Sequence, residues 1–125
     1  MKTASLTLPY PPSLHRYYKK YRNRIIITSE GKSYQEEVAA LVSALNYYNF
    51  FIGTDRLAMD VLLFPPDRRH RDLDNVFKAL CDSLQNSSIF VNDSQLDYLC
   101  ITRGDMDKAN PRAVVKIYRW NRNEV

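Results

Sequence analysis

Glycine and cysteine are scarce in this chain, and no long stretch of it is continuously apolar. Gly31, Gly53 and Gly104 are the only three glycines in 125 residues. A glycine-rich phosphate loop is therefore absent, and chemistry that depends on a nucleotide cofactor is not expected. Two cysteines, Cys81 and Cys100, are too few for a disulfide framework and lack metal-finger spacing. They read as buried free thiols of a reducing compartment. No apolar run approaches the roughly 20 residues needed to cross a bilayer. The opening M-K-T-A-S-L-T-L-P-Y has no h-region of a signal peptide. A soluble, cytoplasmic protein without a membrane partner is the expectation. Neither His15 nor His70 has a G-x-S-x-G or cysteine-histidine context, which argues against a nucleophile system. Repeats and low-complexity linkers are also missing.

What is present is ordinary in amount and uneven in placement. Hydrophobic residues make up 45% and charged residues 26%, as in a single globular domain with one core. The net charge is +4, a weak signal until its distribution is considered. Arg16, Lys19, Lys20, Arg22 and Arg24 interleave with Tyr17, Tyr18 and Tyr21. Arg68, Arg69, His70 and Arg71 form a second cluster. Basic side chains with aromatics between them suit a surface that tracks a phosphate backbone and stacks on bases. For the first cluster, a solvated loop with tyrosines packed beneath it fits equally well.

Local patterns divide the chain into elements. Ala4, Leu6 and Leu8 alternate with polar residues, a half-buried strand that Pro9, Pro11 and Pro12 stop. A basic-aromatic loop follows, then a short β-branched strand from Arg24 to Thr28. Ser33 and Glu36 have capping-box spacing, and the apolar periodicity predicts a helix over 32–47. Leu57, Met59, Val61 and Leu63 alternate in a strand ending at Phe64. A second helix begins at Asp72, a good N-cap residue type, and runs to about Gln85. Its core face is Leu73, Val76, Phe77, Leu80 and Leu84. A short apolar run at 89–91 suggests a β-bridge, Asn92 to Ser94 a turn, and 96–102 and 113–120 two further strands. This order implies an α+β fold in one domain: a mixed β-sheet with two helices packed on one face. Strand order is not readable from it.

The most informative stretch is P-P-D-R-R-H-R-D-L-D-N-V-F-K, from Pro65 to Lys78. Asp72 and Asp74 repel each other unless a cation lies between them, and the basic block before them attracts a polyanion. An acidic pair inside a basic patch points to a hard divalent ion held against phosphate. Such an ion would activate water and stabilise charge on the phosphate oxygens. Asp93 is a candidate third ligand, with Asp97 and Asp60 as weaker ones. Lys78, one turn beyond Asp74, could orient the scissile phosphate. Each residue alone also has a plain structural reading: a helix cap at Asp72, a surface pair between Asp74 and Lys78, a turn former at Asp93.

These residues resemble the RusA-type Holliday junction resolvases, small endonucleases of bacteria and phages. The resemblance spans almost the whole chain: Pro11-Pro12-Ser13, Arg16-Tyr17-Tyr18, Ser29-x-Gly31-x-x-Tyr34, Pro66-Asp67-Arg68-Arg69-x-Arg71-Asp72-Leu73-Asp74-Asn75 with Lys78, then Asp93 and Gln95. It implies paired nicking of four-way DNA junctions by a homodimer using Mg2+, or Mn2+ in its place. It assigns the catalytic and metal-binding aspartates to Asp72, Asp74 and Asp93, the catalytic lysine to Lys78, and a DNA contact to Arg71. The preference for Asp93 over Asp97 comes from this resemblance. With it, the expected DNA-binding set is Arg16, Tyr17, Tyr18, Lys19, Lys20, Arg68, Arg69 and Arg71. A related nuclease cutting flaps or forks, and a non-catalytic branched-DNA-binding module, are the alternatives. The chain departs from the family pattern at Leu14-His15, where asparagine is common after Pro-Pro-Ser, and at Asn92.

Overall fold

Alternating small and apolar residues at Ala4, Leu6 and Leu8 bury one face of β1 (Thr3–Pro9). In the computed structural model, which describes residues 2–121, β1 pairs antiparallel with β6 (Arg112–Arg119). β6 in turn pairs antiparallel with β4 (Leu57–Phe64), and β4 pairs parallel with β5 (Leu96–Arg103). The mixed sheet therefore has the order β1-β6-β4-β5. A parallel pair needs a crossover, and α3 (Leu73–Asn86) supplies it between β4 and β5. The site motif thus lies where the chain leaves the carboxyl end of a sheet strand for a helix, a common ligand position in sheets with helical crossovers.

Two long helices, α2 (Ser29–Ala44) and α3, share one apolar cluster with the buried side of the sheet. Val76, Leu80 and Leu84 meet Leu6, Met59, Val61 and Val115 there, while Leu73 and Phe77 pack at its edge. Truncating Leu80, which is fully buried, to alanine should cost about 2–5 kcal/mol. The expected α+β architecture is correct. The opposite sheet face carries a row of Ser5, Lys116, Asp60 and Cys100, set by the strand pairings. Asp60 is thus on the side away from the helices, which removes it as a ligand for a site on α3. Asp97 is also committed, since Arg56 grips it with bonds of 2.6 and 3.0 Å.

Several expectations need correction. The basic-aromatic segment is not a loop. After a short α1 (Leu14–Tyr17) it forms a hairpin of β2 (Tyr18–Tyr21) and β3 (Arg24–Ile27), separate from the main sheet. Arg22 and Asn23 both take positive φ, 48° and 62°, the two-residue turn that matches hairpin twist. Helix α2 starts earlier than the Ser33 signal suggested. The Thr28 side chain accepts the Gly31 N–H at 2.9 Å, and glycine is needed because a Cβ there would run into the Tyr17 carbonyl oxygen. The helix ends in a Schellman motif, with Asn46 at φ 61° and the Tyr47 and Asn46 N–H groups bonded to Val42 and Ser43. Residues 89–91 form no bridge, although Ile89 and Phe90 are buried. Cys81 is buried as expected, whereas Cys100 is exposed on the edge strand. Among the described residues, no helix is long and apolar enough to cross a membrane.

Candidate active site

Asp72 occupies the N-cap position of α3, but its side chain makes no capping bond. The carboxylate is exposed and, among the described residues, has no ion pair, so its lone pairs are available to a ligand. Asp74 lies in the first turn, also exposed, with only the Asn75 N–H bonded to Oδ1 at 3.0 Å. The helix N-terminus tempers repulsion between two such charges.

Lys78 does not pair with Asp74. Its ammonium donates to Asp82 Oδ1 at 2.9 Å, one turn further along. The bond to Asp82, with that residue's charge and then Asp93's, raises the Lys78 pKa and holds the group cationic. The aspartate at 93 opens a 3-10 turn, Asp93–Gln95, that packs against α3. Its N–H donates to Gln85 Oε1 at 2.8 Å. Gln95 braces that turn from below: almost wholly buried, it accepts the N–H groups of Val91 and Asn92 and donates to the carbonyls of Ile52 and Asp55. The negative charge of Asp93 is felt by the thiol of Cys81, which burial pushes up to about 12.

This placement separates the predicted carboxylates. Among the described residues, no three histidine, cysteine or acidic side chains are gathered closely enough to hold a metal ion. Asp72 and Asp74 have the right donor chemistry for a hard cation, and their oxygens are uncommitted to other charges. Asp93 does not join them in this arrangement and faces the Lys78 turn.

The basic residues differ in how free they are. Arg71 is gripped by Asp67 through bonds of 2.7 and 3.1 Å, with its guanidinium 5.8 Å from the Tyr10 ring centroid. The same bond, with the Arg69 N–H, lowers the Asp67 pKa to about 2. Arg68, Arg69 and His70 are exposed. In the first cluster, Lys19 and Lys20 project from β2, and Arg16 pairs with Glu30 at 3.1 Å. Tyr17, expected as a stacking residue, is wholly buried instead. Gln35 donates to its hydroxyl at 2.7 Å, and the hydroxyl bonds to Ser83 at 2.9 Å. Its ring is core and has no face for a base. Tyr18 is half-buried, its hydroxyl donating to Asp82 Oδ2 at 2.7 Å. A cavity of about 680 Å3 opens beside Asp72, walled by Tyr10, Arg16, Tyr34, Arg69, Arg71 and Asn75.

Comparison with known proteins supplies the context for this site. Residues 9–118 match the family model described as Endodeoxyribonuclease RusA. The chain belongs to the RusA family. It is 40% identical over 103 residues to the Escherichia coli K12 crossover junction endodeoxyribonuclease RusA, covering 78% of this chain and 81% of the relative. The enzyme of the same name from enterobacteria phage 82 is 42% identical over 105 residues. That of phage HK97 is 35% identical over 104, covering 83% of this chain and 85% of the phage protein. The RusA match runs through the hairpin, the whole of α3 and the Asp93 turn. Sequence reasoning missed Asp82 and Gln85, two polar residues of α3 that hold Lys78 and the Asp93 backbone. Only their continuation of the Asp74–Lys78 stripe at helical spacing could have signalled them.

Proposed function

We infer from family membership and site together that this chain resolves Holliday junctions, as an endodeoxyribonuclease of DNA recombination and repair. The observation that carries the reading is the α3 stripe: two uncommitted carboxylates at the helix start and a cationic lysine one turn on. An exposed basic loop runs into Asp72, and the basic hairpin is tied to the same helix at Asp82. Carboxylates facing phosphate are unfavourable unless a cation intervenes.

We propose Mg2+, with Mn2+ able to substitute, held by Asp72 and Asp74; Asp93, which the family resemblance adds as a third carboxylate, lies beside Lys78 and would complete the set only by closing toward them. When bound, such an ion supplies charge neutralisation at the phosphate and a more acidic water. The chain's own groups do the rest. Lys78 presents its ammonium to the non-bridging oxygens, where negative charge grows in the transition state. Arg68, Arg69, Lys19 and Lys20 engage backbone phosphates of the junction arms, so affinity falls steeply with salt. Arg71 keeps Asp67 as its partner and offers DNA its remaining donors. The active species is a homodimer, since a two-fold junction cut symmetrically needs two sites related by the same symmetry. Of the aromatic residues at 47–51, Phe51 is core, Tyr47 and Phe50 pack against the core, and Tyr48 is exposed.

The test compares cutting of a labelled mobile four-way junction, a flap and a linear duplex, with and without magnesium. Paired symmetric nicks confined to the junction and dependent on the metal are expected. Faster cutting of the flap would instead favour a flap nuclease. Binding without cutting, and no calorimetric signal with either metal, would favour a binding module.

A further inference from the structure

A lysine and an aspartate at i and i+4 on an exposed helix face contribute little to stability, least of all with the lysine on the N-terminal side. The Lys78–Asp82 pair is built differently from such a surface contact. Asp82 is only 17% exposed, against 54% for Lys78. Both its oxygens are used, Oδ1 by the Lys78 ammonium at 2.9 Å and Oδ2 by the Tyr18 hydroxyl at 2.7 Å. A carboxylate bonded at both oxygens cannot rotate away, so it fixes the otherwise flexible end of a lysine side chain.

Tyr18 is itself anchored. It begins β2 of the basic hairpin, and its ring packs edge-on against Tyr17 at 4.7 Å between centroids. The Tyr17 hydroxyl bonds to Ser83, the residue after Asp82. Ser83 gives its own proton to the Ala79 carbonyl, so Tyr17 is the donor in that bond. Consecutive tyrosines at the base of the hairpin therefore bond consecutive residues of α3. Burial and the neighbouring Asp82 raise the Tyr18 pKa, so its phenol remains a donor.

We propose that Asp82 is a positioning residue for the cleavage reaction, holding the Lys78 ammonium toward the scissile phosphate, with Tyr18 tying Asp82 to the hairpin that carries Lys19 and Lys20. The hairpin and the lysine then move as one unit, and phosphates gripped by the hairpin are set in register with Lys78. Misplacing a reacting group by about 1 Å can cost about a hundredfold in rate. A device that fixes one lysine is therefore worth more to turnover than to folding. This inference rests on the catalytic reading of Lys78.

The experiment measures single-turnover cutting of a saturating four-way junction in magnesium, and junction affinity, for four proteins besides the wild type. These are Asp82→Asn, Tyr18→Phe, Lys78→Ala and the Asp82→Asn/Lys78→Ala double variant. Asp82→Asn should slow cutting by about tenfold or more while affinity stays within about twofold of wild type. Tyr18→Phe should slow it less, again without loss of affinity. On the Lys78→Ala background, Asp82→Asn should cause no further loss, because the group it positions is gone. Multiplicative losses in the double variant would overturn the proposal, since Asp82 would then act independently of Lys78. An unchanged rate, or a loss seen mainly in affinity, would also overturn it and leave Asp82 as a structural tie. If Asp82→Asn fails to fold, Tyr18→Phe with and without Lys78→Ala gives the same decision. Should Lys78→Ala itself cut at the wild-type rate, the catalytic reading of Lys78 fails, a result distinct from failure of the positioning role.

Discussion

The two ends of the polar stripe on α3 are held in opposite ways. At the N-terminal end, Asp72 makes no capping bond and Asp74 accepts only a neighbouring backbone N–H. Further along, Lys78, Asp82, Gln85 and the Asp93 turn are tied into a network of hydrogen bonds with Tyr18 and Gln95 around them. Oxygens that bind a hard cation must be free of other partners, whereas a flexible ammonium works only if something fixes it. One helix face thus carries two arrangements about one turn apart, uncommitted carboxylates and a fixed ammonium.

Substitutions at the two ends should separate these roles, and the largest effect belongs to the free end. Asp72→Asn or Asp74→Asn should lower the cutting rate by about a thousandfold while junction affinity is unchanged or tighter, because like-charge repulsion with phosphate is reduced. Gel-shift and cleavage assays on the same junction check both halves of that statement. At the tied end, Lys78→Ala should reduce turnover by about a hundredfold with a much smaller effect on binding; equal losses would contradict its role. Away from the stripe, Lys19→Ala/Lys20→Ala should weaken binding and flatten the log–log salt dependence by roughly two units. An unchanged slope would place DNA elsewhere than on the hairpin. Smallest for function, Tyr17→Phe should leave cutting and affinity intact and lower stability by about 1–3 kcal/mol, the cost of a lost buried hydrogen bond. Denaturant unfolding measures this, and a loss of junction affinity would restore Tyr17 to the DNA surface.

Much of the fold was legible in local pattern. The alternation of Leu57, Met59, Val61 and Leu63 gave β4, and the spacing of Val76, Leu80 and Leu84 gave the core face of α3. Non-local features were not legible. Nothing in Arg24–Ile27 says that it pairs with Tyr18–Tyr21 and not with the main sheet, and Arg22-Asn23 is a weaker turn signal than asparagine-glycine. The start of α2 was misread because Ser33 and Glu36 have capping-box spacing, while the cap actually used is Thr28. At the site, the Pro65–Lys78 run exposed the acidic pair because all its parts are contiguous. Asp82 was hidden because its partner Tyr18 lies 64 residues away, whereas Gln95 was reached only through the family resemblance, since a lone buried glutamine has no signature in composition or spacing. The two basic clusters also had different fates. The 68–70 block stays exposed, whereas the earlier cluster surrenders Tyr17 to the core and the Tyr18 hydroxyl to α3.

The central claim, that the α3 stripe cuts branched DNA, is tested most directly by mapping nicks in a mobile four-way junction with magnesium. Wild-type protein and Asp72→Asn are compared at matched occupancy. The account predicts paired symmetric nicks from the wild type and a bound, uncut junction from the variant. Wild-type cutting rates and positions in the Asp72→Asn protein would contradict it.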